Sequence, residues 1–175
     1  MTAPAWETTL DLPDAAATRA FGAALATVLR AGDLVVLTGD LGAGKTTLTQ
    51  GIGTGLGVRG AVASPTFVIA RVHPALPRAD GSTGPDLVHV DAYRLGSLDE
   101  VDALDLDASL AESVTVVEWG EGLVESLAAD RLEVALLRPR GGQREPSDED
   151  ASAGNRSVTV RGVGPRWAGV TLPVG

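Results

Sequence analysis

The stretch "GDLGAGKTTL" (39–48) holds the only lysine among the 14 basic residues of this chain; the others are arginines. Gly39, four intervening residues, Gly44, Lys45 and Thr46 fit the phosphate-loop pattern. The chemistry accounts for each residue type. Backbone N–H groups in a tight turn can surround a polyphosphate only where no side chain blocks the approach, hence Gly39, Gly42 and Gly44. A helix N-terminus after the loop adds unpaired donors and the positive end of its dipole. Lys45 supplies a compact charge to the β- and γ-phosphates, where arginine's planar fork fits poorly. Thr46 offers its hydroxyl to Mg2+.

Such a loop needs a metal partner and a group that orients the attacking nucleophile. Two acids qualify. Asp91 follows "LVHV" and Glu118 follows "VTVV", so each closes an apolar run at the end where ligands gather in an open α/β sheet. Residue type alone leaves open which acid takes which part. Ser64 and Thr66, in "SPT", read either as a switch loop sensing the γ-phosphate or as an ordinary turn, and spacing alone favours the turn. Trp119 packs over the site or belongs to the core. His89, between two valines, reads as a structural histidine rather than a base.

These residues need elements to hold them. Residues 8–12 alternate weakly, as a short strand does. Residues 14–32 read as a helix, with Asp14 as N-cap, Phe21, Leu25, Val28 and Leu29 at helical spacing, and Gly32 as the stop. "DLVVLTG" (33–39) is a buried strand that runs into the glycine loop. Residues 45–56 form a helix with Leu48, Ile52 and Leu56 in one stripe. Gly51, Gly53 and Gly55 oppose it at about 1 kcal/mol each. Strands are expected at 61–72, 87–91 and 113–121. A Pro/Gly loop covers 74–86, and an acidic helix opens at Ser97 with Glu100 completing a capping box. Residues 131–138 and 156–163 alternate like a hairpin, joined by a polar segment whose composition predicts mobility. The sum is one α/β domain over 1–175, of the P-loop NTPase-like class. Its central sheet is mainly parallel and flanked by helices, with antiparallel hairpin strands at an edge.

Composition narrows the function. The 175 residues include no cysteine, which excludes disulfides and thiolate chemistry. The net charge of -9 and 3% aromatic content argue against direct, strong nucleic-acid binding. No apolar run is long enough to span a membrane, and "MTAPAWETTL" is not a signal peptide, so the expected location is cytoplasmic.

"GDLGAGKTTL", "SPTF", "HVDAYRL" and "VEWGE", in this order and spacing, resemble the TsaE (YjeE-type) ATPases, over roughly residues 10–138. These bacterial proteins are required for threonylcarbamoyladenosine modification of tRNA. The resemblance implies a slow, Mg2+-dependent ATPase with ATP and Mg2+ as cofactors. Leu41, Gly42, Ala43, Gly44, Lys45, Thr46 and Thr47 would hold the phosphates. Thr46 and Glu118 would coordinate the metal, and Asp91 with Lys45 would support hydrolysis. Ser64 to Thr66 would form the switch-like loop, and Trp119 matches the family's tryptophan next to the metal-binding acid. The adenine pocket would lie between the turn at Asp14 and Ala15 and the loop of the C-terminal hairpin. The implied partners are the threonylcarbamoyl-transferring subunit and its scaffold paralogue (TsaD- and TsaB-type proteins), whose complex ATP hydrolysis resets. Two departures stand out: a long Pro/Gly loop at 74–86, and an acidic insertion at 139–155 that leaves the adenine contacts unassigned.

The main rival is a small P-loop kinase acting on a metabolite, with Arg138, Arg140 and Arg144 in a lid. A GTPase is disfavoured, because guanine-reading loops carry Asn-Lys-x-Asp and no lysine exists besides Lys45. A catalytic arginine would come from Arg94 or from a partner.

Overall fold

The computed structural model describes residues 3–40, 42–60, 62, 70–92, 106–119, 122, 124–125, 128–138 and 153–173. Among the described residues, seven strands form one sheet in the order β1-β7-β6-β2-β5-β4-β3. They are β1 (Pro4–Asp14), β2 (Leu34–Thr38), β3 (Ala70–His73), β4 (Asp86–Asp91), β5 (Ser113–Glu118), β6 (Arg131–Leu137) and β7 (Ala153–Val163). The α-helices among the described residues are α1 (Ala15–Ala26), α2 (Lys45–Leu56) and α3 (Leu106–Leu110).

The centre, β6-β2-β5-β4, is parallel, and β7, β1 and β3 pair antiparallel around it. This agrees with the expected class, with one correction. The hairpin strands are not at the edge: β6 lies beside β2, and β1 closes the sheet beyond β7. β1 is also longer than the weak alternation over 8–12 suggested, because pairing with β7 carries it from Pro4 to Asp14.

β2 and β5 are apolar on both faces because both faces are covered. Val35 and Leu37 join the α1 and α2 residues Phe21, Leu25, Leu48 and Ile52 in one core. Leu34 and Val36 point the other way, toward Val88, Val90 and Leu106 of α3.

Asp14 caps α1 as expected, its Oδ1 accepting from Ala17 N at 2.8 Å. The helix ends at Ala26, six residues before Gly32 (32 − 26), because tertiary partners capture the groups beyond it. Asp33 Oδ2 accepts from Arg30 N at 2.8 Å, and the Val28 carbonyl accepts from Arg166 Nη2 at 2.7 Å. The glycines of α2 also find their reason in packing. A Cβ on Gly51 would lie 2.1 Å from the Arg19 carbonyl oxygen, and one on Gly55 2.5 Å from Ala26 Cβ. α1 and α2 therefore touch backbone to backbone. The propensity cost of these glycines is offset by a contact that no larger residue permits.

The Pro/Gly segment 74–86 is tied to the end of α2: Arg59 N donates to the Pro74 carbonyl at 2.7 Å and Leu76 N to that of Gly57 at 3.0 Å. Most of the strand expected at 61–72, the start of the acidic helix at 97–100, and the segment 139–152 lie outside the described residues. No helix among the described residues is long and apolar enough to cross a membrane.

Candidate functional site

The loop between β2 and α2 lies at the carboxyl end of the parallel strands, where β2, β4 and β5 terminate side by side. Asp91 pairs with Glu118 in the β4–β5 register, and Glu118 with Leu37 in the β2–β5 register. The two acids picked out as strand ends are thus neighbours, beside the loop.

The loop takes the conformation its glycines permit. Gly42 (φ 78°) and Gly44 (φ 109°) both have positive φ. Gly44 is the N-cap of α2, so the helix N–H groups open into the loop. Ala43 N donates to the Asp40 carbonyl at 3.0 Å, closing the turn.

Lys45 is 5% exposed and folds over its own loop, Nζ donating to the carbonyls of Gly39 (2.7 Å) and Asp40 (2.9 Å). Its ammonium also sits 4.0 Å from the centroid of the Trp119 ring. Burial lowers its pKa below the usual lysine value, and the charges of Glu118, Asp40 and Asp91 oppose that shift. The lone lysine is therefore a largely desolvated cation held by carbonyl dipoles, a π-face and nearby acids.

Glu118 is 3% exposed. Its Oε1 accepts from Thr46 Oγ1 at 3.3 Å and lies 3.1 Å from His89 Nε2. An ionised carboxylate only accepts, so Nε2 carries the proton in that pair. His89 is fully buried, as a structural histidine would be, and what it supports is this carboxylate. Trp119 follows with φ 61°, the one non-glycine residue of positive φ among those described. A bulky residue there stores about 1–3 kcal/mol of strain. That turn, with Trp119 N donating to the Leu37 carbonyl at 3.3 Å, sends the indole over Lys45.

Thr46 and Glu118 present hard oxygen donors to one point, the set Mg2+ accepts. Among the described residues no cluster of three or more His, Cys, Asp or Glu could cage a metal. A threonine hydroxyl beside one carboxylate suits an ion that takes its other ligands from water and phosphate, as Mg2+ does. Gly42, Ala43, Gly44, Lys45, Thr46, Asp91, Glu118 and Trp119 gather at this end of the sheet, and Thr47 follows on the first turn of α2. Leu41, Ser64, Thr66, Arg94, Arg140 and Arg144 lie outside the described residues.

Sequence reading missed Arg156. It stands on β7 beside the loop, 1% exposed, with Nε donating to the Ala43 carbonyl at 3.2 Å. A signal was present: in "RSVTVRG" it shares the inward phase with the buried Val158 and Val160.

A parallel sheet core, a glycine loop feeding a helix, and two acids at neighbouring strand ends define an α/β protein of the P-loop type. A family model described as threonylcarbamoyl adenosine biosynthesis protein TsaE matches residues 12–145. A Streptomyces coelicolor protein named tRNA threonylcarbamoyladenosine biosynthesis protein TsaE is 60% identical over 157 residues, spanning 89% of this chain and 97% of its own. The Bacillus subtilis protein of that name is 38% identical over 129 residues, covering 73% and 76%. The crystal structure of Bacillus subtilis YdiB superposes with a TM-score of 0.64 at 29% identity, over 93% of this chain and 89% of that one. The chain belongs to the TsaE family.

Proposed function

We propose that the protein binds ATP with Mg2+ at this site and hydrolyses it slowly, as a subunit required for threonylcarbamoyl modification of adenosine in tRNA. One observation carries the reading: Lys45, Thr46, Glu118 and Asp91 converge on the carboxyl ends of three adjacent strands, beside a loop of phosphate-binding geometry. The loop N–H groups and the α2 N-terminus bind the phosphates, and the charge of Lys45 is directed at the β- and γ-oxygens. Thr46 and Glu118 would hold Mg2+, which when bound would supply charge neutralisation to the phosphates. Asp91 orients the water that attacks the γ-phosphorus; the bond to the β-γ bridging oxygen breaks, leaving ADP and phosphate. Trp119 covers Lys45 and limits its exchange with bulk water.

The acidic surface suits a subunit that acts on proteins rather than on tRNA directly. The partners are the threonylcarbamoyl-transferring subunit and its scaffold paralogue, reset by hydrolysis between turnovers. The test is calorimetric titration with ATP-Mg2+, phosphate release by the isolated protein, and a pull-down of both subunits with ATP and with ADP. Binding that depends on which nucleotide is present is expected. Phosphate transfer to a metabolite far faster than hydrolysis would replace this reading with the kinase.

A further inference from the structure

Arg156 reaches the loop from outside it. Its Cα lies opposite Leu12 in the β1–β7 register, and its side chain crosses to the loop, where Nε donates to the Ala43 carbonyl. The same side chain covers the next residue: a Cβ on Gly44 would lie 3.0 Å from Arg156 Nε and 3.3 Å from its Cδ. Burying a guanidinium is costly, and that cost with the nearby Arg138 charge lowers its pKa, opposed by Asp14. An apolar residue would fill this inward position of β7 at less cost.

The carbonyl of Ala43 and the N–H of Gly44 belong to one planar, trans peptide unit, so they point in opposite directions. Holding the carbonyl therefore aims the N–H. Without a hold, this unit is free to turn, because Gly44 populates either sign of φ. We propose that Arg156 is a positioning residue: it fixes the peptide plane between Ala43 and Gly44 so that the Gly44 N–H faces the phosphate site. This deepens the nucleotide reading and rests on it. It also makes β7 part of the site's machinery, since whatever shifts that strand turns a phosphate donor.

Arg156→Lys keeps the charge and the length of the stem but replaces the Nε donor with a methylene. A purely electrostatic role survives that change and a positioning role does not. The experiment compares the wild type with Arg156→Lys in ATP-Mg2+ affinity by calorimetry and in amide hydrogen exchange by NMR. The expected result is an affinity lower by about tenfold, the value of one hydrogen bond to a charged group. Faster exchange should be confined to Gly42, Gly44 and Lys45, with β2 and β5 unchanged. Wild-type affinity and loop exchange in the variant would overturn the proposal. So would an equal rise of exchange throughout β2 and β5, which would mark Arg156 as a holder of the fold. Arg156→Gln, measured at lowered temperature in the same two ways, decides the matter where the lysine variant does not fold. A wild type that fails to bind ATP-Mg2+ would defeat the nucleotide reading itself, while the exchange comparison would still decide what Arg156 holds.

Discussion

At the amino end of β2, Asp33 receives Arg166 on both carboxylate oxygens, Nε at 3.0 Å and Nη2 at 2.9 Å. Arg30 N adds a third bond to Asp33, Arg166 Nη2 also reaches the Val28 carbonyl, and the guanidinium lies 4.3 Å from the Trp167 ring centroid. At the carboxyl end of the same strand, Lys45 donates to carbonyls of its own loop, and Glu118 leans on Thr46 at 3.3 Å and on His89. Both ends bury charge. The first neutralises acid against base in a bidentate pair and joins the C-terminal segment to the core. The second holds Lys45 on loop carbonyls and Glu118 on Thr46 and His89, and strains Trp119 nearby. A cation and a carboxylate already locked together would have little left to offer a phosphate or a metal. The contrast separates a part of the fold arranged for stability from one that, on the proposed nucleotide reading, gives up stability for binding.

The largest expected effect comes from breaking the closed end. Arg166→Met leaves Asp33 buried without its cation and should cost about 3–5 kcal/mol. Tm should fall roughly 2–4 °C for each kcal/mol. ATP-Mg2+ affinity, measured well below Tm, should not change. A parallel loss of affinity in calorimetry would mean that the two ends are coupled through β2, and the comparison would fail.

Breaking the open end should do the reverse. Lys45→Ala and Glu118→Ala should each lower ATP turnover by about 10²–10³-fold, as loss of a preorganised charge does at a reacting centre. Lys45→Ala should leave Tm unchanged or raised, because it removes a desolvated cation. Wild-type-like phosphate release in both variants would sink the site assignment.

A smaller effect is expected at the interface that holds α2, and through it the loop. Gly51→Ala places a methyl 2.1 Å from the Arg19 carbonyl oxygen, a clash that no side-chain rotation relieves. Overpacking of about 1–3 kcal/mol should exceed the gain of about 1 kcal/mol in helix propensity. Thermal unfolding gives the sign: a stabilised variant would show that α1 and α2 do not need the close approach.

What could be foreseen follows from where each signal is written. The loop, α2 and the two strand-end acids were legible because glycine spacing, apolar runs and a terminal Asp or Glu are local features. Their adjacency was not, since it depends on β4 and β5 lying side by side in register. The glycines of α2 argued against a helix on propensity, and their reason lies on Arg19 and Ala26 of another element. Asp33–Arg166 and Ala43–Arg156 join residues 133 and 113 positions apart, a distance at which single-residue patterns are silent. Arg156 came nearest to being seen, as an arginine in the buried phase of an alternating strand.

The smallest effect separates two buried histidines. His89 meets Glu118 through Nε2, whereas His73, 4% exposed on β3, has no partner for its Nε2 among the described residues. Burial lowers the His73 pKa below 6.5; the Arg59 backbone opposes this, and the charges of His89 and Arg71 add to it. In the unfolded chain the imidazole titrates near the ordinary histidine value, so between the folded pKa and about 6.5 it binds more protons than the native state. Native stability therefore falls as the pH drops through that window, and the loss levels off below the folded pKa. His73→Gln removes this proton linkage, so its Tm should decline less than the wild type's between pH 7 and pH 5, with ATP-Mg2+ affinity at pH 7 unchanged. His89→Gln should instead register in turnover at pH 7, by loosening Glu118. Identical Tm–pH slopes for wild type and His73→Gln would show that His73 takes up its proton as readily in the fold as out of it.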